Sequence, residues 1–520
     1  MTDASDPHAP PVGGSSQAAG KSKDVAHAAR SGAVQVLTIA AQAVLTVSHV
    51  LLARLFGLAV FGSYQASLAI LEMVTRAGTA GADKGMLRYV AGHRARGEPE
   101  LVRSALGTGL RLCLLVSGSL VLLTILLAEQ LGRLSHAPTV VVALRWMAPA
   151  ALFTGCMWVL IQASLATKVT RANLLVRGLG EPMFLLVAGI TAALFGRSLV
   201  YLAVAHAAAA AATLFLAVVV VGRLFGAGEL LRSLRSPWLP GFTRFSLPLG
   251  FAELMNAVLQ RADIVLLTIF VGTNAAAVYA AAEFITRIIS NARYVFDSVA
   301  APVFSEALHL GQRDRLRQNL VLMTRWVATA AAPIAVTVLV LRRDLLALYG
   351  SGFQEGATAL AVLAIGHLVN STFGLAGWVL VVSGRSRLVL LNNVAAALLN
   401  VALGLTLIPR WGLVGTALAS LCSVSLMHVM VATEVRILHG VHVFRWAVLK
   451  PFLAAAAALA VELFIFRHID RTALRVPLVI MTGLVTYLLG LRGLGLDPDD
   501  RRLLDGLKTR LRRWRGRSNP

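Results

Sequence analysis

Arg261 and Asp263 interrupt a stretch, Val258-Leu-Gln-Arg-Ala-Asp-Ile-Val-Leu-Leu267, that otherwise has the makeup of a lipid-buried helix. A charge at the middle of such a helix costs about 2.5–3.5 kcal/mol on insertion scales, so it is expected to face a bundle interior or a wet cavity. Glu283 and Arg287 lie four residues apart in the next apolar stretch, and Glu72 and Arg76 lie four apart far upstream, as do Arg293 and Asp297. That spacing puts both members of a pair on one helix face and permits ion pairs. Arg261 and Arg287 could receive a phosphate group, because the planar guanidinium donates two parallel hydrogen bonds and keeps its charge. Asp263, Glu283 and Glu72 would hold those arginines while the site is empty, or carry a coupling cation. The same charges could equally be ion pairs that orient helices and touch no cargo.

What must position them is a membrane bundle. The chain has 520 residues, 57% hydrophobic and 14% charged, whereas a water-facing surface calls for about 25% charged residues. Apolar runs of about 20 residues recur along nearly the whole length, each enough to cross a bilayer as a helix. The expected fold is all-α and polytopic with fourteen spans, near 32–55, 58–82, 105–128, 139–167, 174–196, 199–222, 245–271, 275–300, 320–341, 357–384, 388–409, 413–436, 447–468 and 474–491. The net charge of +23 is better explained by basic cytoplasmic loops than by nucleic acid. Lys84, Arg88, Arg94, Arg96 and Arg103 follow span 2, and Arg223, Arg232, Arg235 and Arg244 follow span 6, while the intervening loops are shorter and poorer in charge. Both termini are then expected in the cytoplasm, with Arg467, Arg471 and Arg475 the weakest fit.

Residues 1–31 lack an apolar core and are expected to be a disordered cytoplasmic tail. From 492 to 520 the chain is basic and amphipathic, with Leu503, Leu504, Leu507, Leu511 and Trp514 on one face, as in a helix lying on anionic lipid. Cys113, Cys156 and Cys422 are expected to be small buried residues without redox or metal roles. Gly14-Ser-Ser-Gln-Ala-Ala-Gly-Lys-Ser22 has one residue too many between its glycines for a phosphate-binding loop. No hydrolase or zinc motif is found, so no enzyme activity and no cofactor are expected.

An internal repeat organises the spans. Leu51-Leu52, Gly57 and Tyr64 recur as Leu266-Leu267, Gly272 and Tyr279, an offset of 215, and Trp158 and Asn173 recur as Trp378 and Asn393, an offset of 220. The expected units are 32–222 and 245–436, joined by the linker 223–244 and followed by two further spans in 437–491. Six spans separate the copies, so both have the same orientation, as in transporters whose halves face each other about the membrane normal. Depth follows from counting outward from the turn at Gly272-Thr-Asn274. Asp263 is ten residues before Thr273 and Glu283 ten after, while Arg261 is twelve before and Arg287 fourteen after, a difference of roughly 3 Å. Arg111 and Arg145 sit near span ends and are expected to snorkel. His49, His206, His367 and His428 are read as hydrogen-bonded packing residues, and Gly62, Gly78, Gly81 and Gly85 as close-packing positions.

Ala53-Arg-Leu-Phe-Gly-Leu-Ala-Val-Phe-Gly-Ser-Tyr64 resembles the LGxxxFGxY turn of lipid-linked oligosaccharide flippases, within the multidrug/oligosaccharidyl-lipid/polysaccharide exporter superfamily, although Phe56 replaces the usual leucine. Phe245-Ser-Leu-Pro-Leu249 with Asp263 and Tyr279, and Leu407-Ile-Pro-Arg-Trp-Gly-Leu-Val-Gly-Thr-Ala417, are similar to later motifs of that family. The resemblance implies a two-lobed, V-shaped flippase in a bacterial inner membrane. Its cargo would be a polyprenyl-pyrophosphate-linked glycan for polysaccharide or lipopolysaccharide synthesis, with other polysaccharide-assembly proteins as further partners. A lipid II flippase and a multidrug/cation antiporter are the alternatives within the superfamily. A membrane-embedded polymerase or ligase is disfavoured by the short loops, and a scaffold that flips nothing would leave the mid-span charges unexplained.

Overall fold

The computed structural model describes residues 14–495 apart from 135–136, 168, 170, 442–445 and 470; for 14–43, 131, 134, 227, 295 and 298 it describes the backbone only. Among the described residues every regular element is helical. The run Gly14–Thr79 breaks at Gly57 (φ 79°, ψ 170°) into α1 (14–56) and α2 (58–79), a reversal that needs the left-handed backbone glycine adopts without penalty. A short helix, Ala82–Ala95, leads to α3 (Pro99–Leu126), α4 (Pro138–Ala166), α5 (Arg171–Phe195) and α6 (Leu199–Phe225). After the connecting helix Ala227–Ser233 come α7 (Pro240–Phe270), α8 (Thr273–His309) and α9 (Arg313–Val340). Proline opens α3, α4 and α7, where its missing N–H is no loss. α10 is interrupted, running Ala357–Phe373 and Ala376–Val382. The run Ser386–His439 breaks at Gly412 (φ 51°, ψ −123°) into α11 (386–411) and α12 (413–439), and α13 (Trp446–His468) and α14 (Thr472–Gly493) follow.

These fourteen helices coincide with the fourteen expected spans. Ten segments are long and apolar enough to cross a bilayer, and two of them, Val44–Ala95 and Ser386–His439, hold two spans each. The remaining two long helices are α7 and α8, whose charges set them apart. Helix α1 begins at Gly14, within the segment expected to be a disordered tail. Residues 1–13 and the basic tail from 496 on, with its expected interfacial helix, lie outside the described residues. Cys113 and Cys156 are buried as expected, but Cys422 is exposed.

Helix packing divides the bundle into two lobes. In the first, α4 packs against α1–α2, α3 and α6, and α5 against α6; in the second, α8 packs against α9 and α10, and α11–α12 against α7 and α10. The α13–α14 pair lies on α9. The lobes meet through α1–α2 against α7 and α8, and the two ends of that seam differ. At the end bearing the turns Gly57, Gly272 and Gly412, the lobes share one core in which Phe61 and Tyr64 join Tyr279, Tyr349 and Phe353. Gly62 is needed there, because a Cβ would run into the carbonyl of Thr273. Arg54 also donates across the seam, to the carbonyls of Leu348 (2.5 Å) and Ala347 (3.1 Å). At the opposite, basic end the second lobe has its own core around Phe304, Leu320 and Leu380, while the first lobe's core around Met86, Cys113 and Met157 takes in Phe242 from the start of α7. Beside Phe242 the backbones themselves meet: a Cβ on Gly250 would lie 2.5 Å from the Ala80 carbonyl carbon and 2.6 Å from the Gly81 nitrogen. Lys84 pairs with Glu253 beside it at 3.1 Å.

Candidate functional site

Between the two ends lies a cavity of about 870 Å³, walled by α1, α2, α4, α5 and α6 of one lobe and α7 and α8 of the other. Arg261 projects into it from α7. Its guanidinium donates to both oxygens of Glu72 on α2, across the seam, and to Glu283 Oε2 on α8 at 3.2 Å. Glu283 Oε1 in turn accepts from Arg287 at 2.7 Å, the expected pair at a spacing of four. The Arg261 and Glu283 side chains are mostly covered, at 14% and 15% exposure, while Glu72 and Arg287 are 37% and 35% exposed. Two carboxylates and two guanidinium groups thus form one chain, Glu72–Arg261–Glu283–Arg287, in a partly dried site where charge–charge terms are stronger than in water.

Two expectations need correction. Asp263 does not belong to this group. It is buried away from the cavity, accepting from Tyr279 Oη at 2.8 Å and from the Ile264 N–H at 2.8 Å. Two residues along a helix turn the side chain through about 200°, so Arg261 and Asp263 cannot share a face. Arg76 lines the cavity, yet its expected partner Glu72 is taken by Arg261. Arg76 instead lies over the Trp158 ring, 3.9 Å from its centroid, and 3.7 Å from Glu253.

The remaining candidates fall mostly as their types suggest. His206 bonds to Tyr64 (3.0 Å), His367 to Ser290 (2.8 Å) and His428 to Asn370 (3.1 Å), while His49 stacks on Phe284 across the seam at 4.1 Å. Arg111 reaches the Ser236 carbonyl (2.7 Å) and Arg145 pairs with Glu129 (2.7 Å). Arg293 sits 3.5 Å from Asp297, which accepts from Trp378 Nε1 at 2.9 Å, inside the second lobe rather than at the cavity. Sequence reasoning missed Arg177 and Glu181 on the cavity wall, and Glu253 at the basic end. Trp158 and Asn173 were visible only as repeat markers. No group of three or more His, Cys, Asp or Glu among the described residues is placed to hold a metal ion.

A family model described as "Polysaccharide biosynthesis protein" matches residues 31–308, more than half of the chain. No curated protein sequence matches. Among solved structures, the chain is similar to the lipid II flippase MurJ in an inward closed conformation, with a TM-score of 0.70 at 13% identity, covering 88% of this chain and 97% of that one. It is similar to an inward-facing multidrug resistance MATE family transporter of the MOP superfamily, at a TM-score of 0.64 and 15% identity over 75% of this chain and 94% of that one. A MOP superfamily transporter from Pyrococcus furiosus gives a TM-score of 0.58 at 13% identity, over 78% and 94%. At these identities the likeness is one of fold.

Proposed function

Because the chain belongs to the polysaccharide biosynthesis protein family, we propose that it is a flippase for a polyprenyl-pyrophosphate-linked oligosaccharide repeat unit. The unit moves from the cytoplasmic to the outer leaflet of a bacterial inner membrane, and the basic end, with Lys84, Arg88 and Arg94, faces the cytoplasm in keeping with the positive-inside rule. Arg261 is the observation that carries this reading. A guanidinium on the cavity wall, shared between a carboxylate of each lobe, is matched to an anion that accepts and never donates. Pyrophosphate oxygens take the place of Glu72 and Glu283 on Arg261 and draw in Arg287, so the cargo exchanges one set of charge-assisted hydrogen bonds for another. Glu72 and Glu283 keep the arginines paired when the cavity is empty, which avoids leaving a bare charge in the bilayer.

The MurJ likeness, the highest of the TM-scores given above, favours lipid II as a second cargo, which offers the same pyrophosphate to the same arginines. A multidrug antiporter is disfavoured, because organic cations would meet Arg76, Arg177, Arg261 and Arg287 on the cavity walls. The test is genetic. In a strain lacking the gene, lipid-linked glycan should accumulate in the membrane while surface polysaccharide disappears. Wild type should restore both pools, and the Arg261→Ala/Arg287→Ala protein, present at normal level, should not. Full complementation by the double variant would make those charges structural. No change in either pool on deletion would remove this cargo, and accumulation of the peptidoglycan precursor instead would favour lipid II.

A further inference from the structure

One wall of the cavity, away from Arg261, is built by α2, α4 and α5 around Trp158. Arg76 fixes the indole from one side, and the Arg177 guanidinium lies 5.6 Å from the ring. Arg177 is exposed and makes no hydrogen bond among the described residues, with Glu181, four residues on, as a neighbouring opposite charge. It stands on a π-helical turn, Leu174–Gly180, the one such turn among the described residues. Turns of that kind are rare inside α-helices and concentrate at functional sites, because they give up regular hydrogen bonding to re-aim side chains. Next to it, two covered polar atoms lack any partner: Trp158 Nε1, which can only donate, and Asn173 Oδ1, which can only accept. Most buried polar atoms in proteins are paired, so two unpaired ones on residues that line one cavity ask for a ligand.

Resting on the cargo proposed above, we infer that this wall is the subsite for the sugar ring next to the pyrophosphate. A phosphate or carboxylate would satisfy Trp158 Nε1 and Arg177 but has no hydrogen for Asn173 Oδ1. An ammonium would satisfy Asn173 and could meet Glu181, but it has no lone pair for Trp158 Nε1. A hydroxyl both accepts and donates, and neighbouring hydroxyls on one sugar ring satisfy all three groups once the exposed Arg177 side chain moves aside. The position also fits. Arg76 is one turn along α2 from Glu72, about 6 Å, so the wall lies one ring's reach from Arg261.

The full-length protein, purified in detergent, is titrated with undecaprenyl pyrophosphate and with the same lipid carrying one hexose or one N-acetylhexosamine. Wild type should bind at least one sugar-bearing lipid about tenfold more tightly than the bare lipid, the worth of one or two hydrogen bonds. Trp158→Phe keeps a ring under Arg76 and removes only the N–H. Combined with Asn173→Leu, it should leave binding of the bare lipid unchanged, which also shows that the variant is folded, and abolish the preference. Equal wild-type affinities for all three lipids, or a preference that survives in the double variant, would overturn the subsite alone. Arg261→Ala should weaken every lipid by the same factor. If wild type binds none of them, the pyrophosphate cargo itself is wrong and the subsite goes with it.

Discussion

Gly250 lets the backbones meet at the basic end of the seam, and replacing it with alanine should loosen that end. The added Cβ would sit 2.5 Å from the carbonyl carbon of Ala80 and 2.6 Å from the Gly81 nitrogen, both backbone atoms with no rotamer to yield. Ordinary contact lies near 3.5–4.0 Å, so the lobes must part by about 1 Å there. Overpacking of this kind costs about 1–3 kcal/mol. If that cost falls on the closed arrangement alone, its population relative to an open one drops by about 5-fold to 150-fold. The turn end should hold, because there the lobes share an apolar core that the substitution does not touch. The assay is cross-linking of paired cysteines with a short bis-maleimide on a Cys422→Ser background, because side chains that meet at their tips leave the Cα atoms too far apart for a direct disulfide. Lys84→Cys with Glu253→Cys reports the basic end, where the native side chains approach to 3.1 Å, and Arg54→Cys with Leu348→Cys reports the turn end. Gly250→Ala should lower the first cross-link severalfold and leave the second alone. Equal loss at both ends would mean general destabilisation, and no loss at either would refute the claim that this contact governs closure.

Glu72→Gln should tighten binding of undecaprenyl pyrophosphate severalfold in an equilibrium titration while slowing transport, because Arg261 no longer has to leave a carboxylate on the opposite lobe. Tyr279→Phe should lower stability by about 1–3 kcal/mol in thermal melts and leave lipid affinity unchanged, since it deprives buried Asp263 of a hydrogen bond outside the cavity. Hydrogen bonds from Arg103 and Arg232 hold the Glu229 carboxyl below the usual carboxylate range. A lowered folded-state value means that the tether of the Ala227–Ser233 connector to α3 is present above the ordinary carboxylate pKa and fades as pH falls through the lowered one. Protection of that connector against amide exchange, corrected for the intrinsic rate at each pH, should therefore fall only in acid, and Arg103→Ala should remove the part of that pH dependence that comes from the tether to α3.

Much of the fold was legible because each level of the sequence agreed with the others. Apolar length marked the spans, and the repeat placed Gly57 opposite Gly272 at equivalent turns, where both take positive φ. The height of the site was legible too, from residue counts outward from Thr273. What counting alone could not supply was direction around each helix. Arg261 and Asp263 fall at neighbouring depths, two residues apart, which groups them in the sequence, although that same separation along α7 puts them on different sides. Trp158 and Asn173 stand out in the sequence as repeat markers and not as cavity groups, for another reason. Helix α4 is apolar on nearly every face, so no polar stripe marks Trp158, whereas Asn173, Arg177 and Glu181 on α5 recur at a spacing of four and together border the cavity, a stripe that was there to be read. What a period of 3.6 does not reveal is the π-helical turn on which Arg177 stands, which shifts the angle of every later side chain.

Because Arg261 answers to a carboxylate on each lobe, filling the site and parting the lobes cannot be independent events. Any anion that draws the guanidinium off Glu72 removes a bond that spans the seam, so binding weakens the cohesion of the two halves. By thermodynamic reciprocity, whatever forces the halves apart must raise affinity for that anion by the same factor. An opener and a ligand are then equivalent inputs, and an agent that wedges the basic end should sensitise the empty protein to cargo without touching the cavity at all.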